Sequence, residues 1–359
     1  MTLHPRRSIA SLWRSLGPQR RTLNLALQGG GAHGAFTWGV LDALLQDARF
    51  DYEGLSGTSA GALNAALFAH GWLEGGQSDP REGAREALSR FWTAVASQVP
   101  FEWFTQGNGE TIALSPAGKL LMYWTGHFSP SQLNPLDLNP LRDLINKHID
   151  VERLRAACPF KLFIAATQAN SGKLRVFRET ELSTDVLLAS ACLPKVHRPV
   201  EIDGEPYWDG GYSANPAVFP LFYDCDSRDV LLVLLSPLKH QTTPSTQEEI
   251  NHRAMELAFS ANFMREMRMF VHAARFASEG LLPFGGLGRL ERRLLKMRFH
   301  MIDSQDLASL QRTETKMISH GPFLELLHDQ GRDRALAWLA EHGQGVGQRG
   351  TVNLHKWFE

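Results

Sequence analysis

The pattern that most constrains this chain is a strand-turn-helix unit that occurs twice within its first 75 residues. Leu23–Gln28 (LNLALQ) is a short apolar run that stops at Gly29-Gly30-Gly31-Ala32-His33-Gly34. The following AFTWGVLDALLQD places Phe36, Val40, Leu41, Leu44 and Leu45 at helical spacing. A second extended stretch around Tyr52 to Ser56 reaches Gly57-Thr58-Ser59-Ala60-Gly61, and ALNAALFAHGWL then reads as a buried helix. Two such units in succession predict an α/β fold.

Further along, Gly75 to Asp150 mixes helical stretches such as ALSRFWTAV with loops like SPSQLNPLDLNP, and reads as an inserted cap or wall without a chemical motif. KLFIAATQ (Lys161–Gln168) and LRVFRE (Leu174–Glu179) flank a turn-like ANSGK and predict neighbouring strands. A helical DVLLASAC precedes Pro194, two short extended runs flank the Asp203-Gly204 turn, and DVLLVLLS from Asp229 predicts a buried strand. Beyond about Lys239 the character shifts to long, charged helical stretches.

Composition sets limits without choosing a chemistry. Apolar residues make up 43% and charged residues 21% of the 359, an ordinary globular balance. With 37 basic and 38 acidic side chains the formal charge is −1, so no global field favours nucleic acid and no such partner is expected. Cys158, Cys192 and Cys225 are too few and too scattered for a disulfide framework or a metal site, which favours a reducing, cytoplasmic setting. Residues 54–73 lack charge, but Ser56, Thr58, Ser59, Asn64 and His70 among them mark core rather than membrane. The leader MTLHPRRSIASLWRSLGPQRR has five arginines and no acid, without the apolar stretch or cleavage site of a secretory signal.

Three short motifs carry the chemistry. Gly57-Thr58-Ser59-Ala60-Gly61 fits G-x-S-x-G, whose glycines permit a tight strand-to-helix turn that exposes the serine hydroxyl. The N–H groups and dipole of the helix behind it stabilise negative charge beside Ser59; the alternative is that Ser59 only caps that helix. The Gly29–Gly34 loop can converge backbone N–H groups on an anion, as an oxyanion hole requires. It also satisfies G-x-G-x-x-G with Asp51 about twenty residues on, the pattern of a dinucleotide-binding turn. Against this, DARFDYE around Asp51 is polar where a second apolar strand should end. Asp209-Gly210-Gly211 follows a short extended run and puts a carboxylate at a strand end, and Asp-Gly is equally a common turn pair.

In this order, the glycine loop, G-x-S-x-G and D-G-G resemble the patatin-like phospholipase family. The resemblance spans roughly Leu23 to Ser236 and implies a modified α/β-hydrolase fold with a mainly parallel central sheet flanked by helices. It divides the chain into a basic leader (1–22), a patatin-like catalytic domain (23–236) and a mainly helical C-terminal extension (237–359). It implies a lipid acyl hydrolase of phospholipase, lysophospholipase or esterase type, working through a Ser-Asp dyad without a cofactor. Ser59 is then the nucleophile and Asp209 its base, with an oxyanion hole around Gly29, Gly30, Gly31, Gly34 and Ala60. Gly57, Gly61, Gly210, Gly211 and Pro194 support the motifs. One departure is His33, where the family usually carries Arg or Lys: a fixed charge becomes a titratable one, or a neutral packing residue. The implied partner is a phospholipid or other lipid ester. No run of alternating carboxylates of the calcium-binding kind is present, and no metal is expected.

Two other readings stay open at this level. An ordinary α/β-hydrolase triad needs a histidine after the acid, such as His240, His252 or His272. A catalytically idle membrane-surface protein would use the arginine leader and the stretch from Arg265 to Arg298, which holds eight basic residues, three acids and the apolar PFGGLG. Such a face makes peripheral contact with anionic lipid.

Overall fold

The computed structural model describes residues 20–97, 105–109, 111–125, 128–240, 242–279 and 288–359. Its central sheet has eight strands: β1 (Arg21–Leu27), β2 (Phe50–Thr58), β3 (Lys161–Gln168), β4 (Leu174–Arg178), β5 (Val200–Ile202), β6 (Glu205–Asp209), β7 (Asp229–Val233) and β8 (Arg298–Ile302). They lie in the order β8-β7-β1-β2-β3-β6-β5, with β4 also paired to β3. The five strands from β8 to β3 are parallel, and β4, β5 and β6 join antiparallel. The principal helices are α1 (Gly34–Gln46), α2 (Ala60–Gly75), α3 (Pro80–Ala96), α4 (Thr184–Ser190), α5 (Gln247–Glu279) and α6 (Gly321–Glu341). A mainly parallel sheet between helices is the expected patatin-like architecture.

The strands alternate between two cores. Leu23, Leu25 and Leu27 of β1 pack with α1, α2, α3 and α6, whereas Ala26 faces the core built on α5. β7 alternates in the same way, with Leu231 and Val233 on the first face and Val230 and Leu232 on the second. Because both faces are covered, the central strands must be apolar nearly throughout, and each buried leucine contributes about 1.5–3 kcal/mol. The polar exceptions are satisfied: Asn24 accepts the Gly54 N–H at 3.0 Å, and Asp229 takes Arg298 and His300.

The C-terminal portion shares this sheet. Residues 237–359 supply the long helices α5 and α6 as expected, but they also supply β8, which runs parallel to β7. Phe358 packs into the same core as Ala26 and Phe263. Most of the basic leader, residues 1–19, lies outside the described residues, and Arg21 already belongs to β1. Of the basic stretch, residues 280–287 with most of PFGGLG lie outside them too. Within it Arg268, Arg275, Arg293 and Arg298 are held by Phe358, Glu279, Phe222 and Asp229 respectively, so half of its cations serve the fold. Among the described residues no helix is long and apolar enough to cross a membrane.

Candidate active site

β2 ends at Thr58 and α2 begins at Ala60, so Ser59 alone makes the turn, at φ 55° and ψ −123°. A non-glycine residue there is strained, and it persists only because its surroundings over-determine it. A Cβ on Gly57 would lie 2.4 Å from the Gly61 carbonyl oxygen, and one on Gly61 would lie 2.2 Å from that of Leu27. The two glycines therefore let β1, β2 and α2 meet at one point. Ser59 makes no side-chain cap to α2, which removes the reading of it as a helix cap. Its N–H donates to Ser190 Oγ at 2.9 Å, and Thr58 Oγ1 donates to the Ala214 carbonyl at 2.8 Å.

Strand β3 sets the position of the carboxylate. One edge of β3 pairs with β4. Along the other, Lys161–Ala165 pair with Gly54–Thr58 of β2, and Ala166–Gln168 pair with Asp209–Tyr207 of β6. Ala165 is thus partnered by Thr58 and Ala166 by Asp209: β6 enters the edge that β2 leaves. Asp209 is buried, and its carboxylate accepts the Gly211 N–H at 2.7 Å. Burial pushes its pKa up to about 7, against the Gly211 amide and the Ser59 hydroxyl, which both pull it down. Gly210 and Gly211 form the short turn behind it, while Pro194 lies in the α4–β5 loop, whose Leu193 and His197 reach the cavity.

The glycine loop is held from outside the motif. Asn215 Oδ1 accepts the Gly29 N–H at 2.7 Å, and the Asn215 carbonyl accepts from Gln28 Nε2 at 3.4 Å. Gln28 Oε1 in turn takes the N–H groups of Leu235 and Ser236, tying the loop to the end of β7. Two expected oxyanion donors are corrected by this. The Gly29 amide already serves Asn215, and the Gly34 amide bonds the carbonyls of Gly31 and Ala32. Gly34 matters for packing instead, since a Cβ there would meet Ala60 Cβ at 2.6 Å.

These groups open onto one cavity of about 400 Å³. Gly29, Gly30, Gly31, Ser59, Ala60, Asp209 and Asn215 line its chemical end. Leu63, Phe91, Trp92, Val95, Leu141 and Leu193 supply apolar wall, so the stretch between Gly75 and Asp150 contributes lining. His33 is fully buried, and Thr315 Oγ1 donates to the Arg312 carbonyl, so Thr315 accepts from His33 Nε2–H at 2.7 Å. Among the described residues Nδ1 has no partner, and burial together with the charge of Lys316 holds the His33 pKa well below the usual histidine value. His33 is a neutral packing residue.

The rival readings find no geometry here. His240, His252 and His272 pair with Glu256, Glu314 and Glu359, not with Asp209. Asp51 is registered opposite Thr22, near the start of β1 and half-exposed beside Arg20. Five residues of strand separate that position from the glycine loop, roughly 17 Å at the usual rise, which corrects the dinucleotide pairing. Ser190, Asn215 and Lys316 were missed by the sequence reading. Asn215 and its following proline close the SANP that trails the D-G-G motif, and that polar residue so near the motif was the available signal.

Comparison with known proteins identifies the family. The patatin-like phospholipase family model matches residues 25–222, more than half of the chain. The protein belongs to the patatin-like phospholipase family. Membership makes it a lipid acyl hydrolase in general terms, with a lipid substrate. A crystal structure of VipD from Legionella pneumophila is similar at 17% identity over 90% of this chain and 67% of that one, with a TM-score of 0.44. No curated protein matches the sequence.

Proposed function

We propose that this protein hydrolyses carboxylic ester bonds of lipids in two steps, with Ser59 as nucleophile and Asp209 as general base. The observation that carries the reading is the register on β3, which brings a buried carboxyl with a pKa of about 7 beside a strained, uncapped serine. An ordinary aspartate near ~4 is a poor base for a hydroxyl; burial moves Asp209 close to the working pH.

Ser59 Oγ attacks the ester carbonyl while its proton passes to Asp209. The oxyanion is received by the N–H groups of Gly30, Gly31 and Ala60, which have no acceptor among the described residues. The C–O bond to the alcohol breaks, the alcohol leaves with the proton from Asp209, and an acyl-Ser59 remains. Water then attacks the acyl carbon and yields its proton to Asp209; as the tetrahedral intermediate collapses, the acyl C–Oγ bond to Ser59 breaks, Asp209 returns that proton to Ser59 Oγ, and the fatty acid leaves. The apolar wall from Leu63 to Leu193 takes the acyl chain.

In this reading residues 23–236 form the catalytic domain, and 237–359 complete its sheet and its cavity. The test is steady-state hydrolysis of a p-nitrophenyl acyl ester. Ser59→Ala and Asp209→Asn should each lower kcat about a thousandfold or more with circular dichroism unchanged. Wild-type turnover in Asp209→Asn would sink the dyad.

A further inference from the structure

One cation in the cavity has no role in the steps above. Besides Asp209, the carboxylate and ammonium groups lining the cavity among the described residues are Glu256 and Lys316, both from the C-terminal portion. Glu256 has direct partners in Arg253 Nη1 at 3.0 Å and His240 Nε2 at 3.1 Å. Lys316 lies within Coulombic reach of Glu256, but among the described residues its ammonium makes one hydrogen bond, to Ser236 Oγ at 3.2 Å. An ammonium carries three donors, and Lys316 is half-buried in the lining of the cavity, where desolvation lowers its pKa.

The segment that carries Lys316 is seated on the glycine loop. Gly31 has φ 58°, and a Cβ there would stand 2.3 Å from the Lys316 carbonyl oxygen, so only glycine lets the two backbones meet. Ser236, the partner of the ammonium, is itself fixed through its N–H to Gln28 at the loop's entrance. The charge is therefore anchored at both ends to the structure that surrounds the ester carbonyl. A fatty acyl chain carries no charge, so an anion delivered to Lys316 must belong to the alcohol half of the substrate.

We propose that Lys316 is a specificity residue whose ammonium binds a phosphate on the alcohol side of the scissile ester, making the enzyme prefer phosphate-bearing lipids to uncharged glycerides. The proposal rests on the acyl-hydrolase reading and deepens it. A charge-assisted hydrogen bond in a partly desolvated site corresponds to about a tenfold or larger preference.

The test compares a phosphatidic acid and a diacylglycerol with the same acyl chains, in matched detergent micelles, with the full chain and its Lys316→Met and Lys316→Arg variants. Lys316→Met should lower kcat/KM on the phospholipid at least tenfold, mainly through KM, while the diacylglycerol value moves less than threefold. Lys316→Arg should recover most of the phospholipid activity. An equal fall on both substrates, or no fall on the phospholipid, overturns the proposal. Inhibition of diacylglycerol hydrolysis by millimolar inorganic phosphate, removed in Lys316→Met and without any preference for phospholipid, assigns the site to free phosphate and also overturns it. Wild-type turnover of the diacylglycerol upholds the hydrolase reading by itself; turnover of neither ester overturns both.

Discussion

The two halves of the site are built in different ways. Ser59 sits in a local device: β2, the turn and α2 are contiguous, and Gly57 and Gly61 let them close onto β1. Asp209 sits in a non-local one, since it reaches Ser59 only because β6 takes the β3 edge where β2 stops, 150 residues earlier in the chain. The glycine loop belongs to both. Its turn is local, but Asn215 and the segment around Lys316 hold it from afar. In the proposed reading, local strain supplies the nucleophile and long-range register supplies the base.

That contrast can be broken at graded points. The largest effects belong to the two ends: Ser59→Ala and Asp209→Asn should each remove about a thousandfold or more of kcat. Next comes the clamp. Asn215→Ala removes the acceptor of the Gly29 N–H, and about a ten- to hundredfold fall in kcat with KM nearly constant is expected, because a misplaced oxyanion hole costs transition-state binding. A fall confined to KM would separate the clamp from the oxyanion hole.

The pH dependence is a finer test. As a base, Asp209 works only when ionised, so kcat/KM should rise with pH along a limb centred near its pKa of about 7 and level off above it. A limb near 4 would mean that burial does not tune this carboxyl. The smallest effect is expected at His33. Neutral and facing Thr315, it contributes no charge to that limb, so His33→Gln should keep activity within about threefold and leave the midpoint in place. A displaced midpoint would make His33 a participant.

The same division explains what the sequence disclosed. The strand-turn-helix units, the hairpin at Asp203-Gly204 and the buried strand at Asp229 depend on neighbours in sequence, and each forms where its pattern lies. Ser59 was legible for that reason. Asp209 was legible only by family resemblance, because an Asp-Gly pair looks like any turn until β3 gives it a register. Ser190, Asn215 and Lys316 were not legible at all: a serine ending α4, an asparagine before a proline and a lysine in a short 3₁₀ turn acquire meaning only through what they touch. The two corrected oxyanion donors have the same cause. Glycine spacing shows that amides are exposed to approach, whereas Asn215 and the turn at Gly31 decide which remain free.

The pairing of strained serine with buried carboxylate is tested most directly by a fluorophosphonate probe, with the labelled peptide mapped by mass spectrometry in wild type and Asp209→Asn at pH 8. Modification at Ser59, with the labelling rate in Asp209→Asn reduced at least a hundredfold, is the predicted result. Labelling at another residue, or at Ser59 with an undiminished rate in Asp209→Asn, would contradict it.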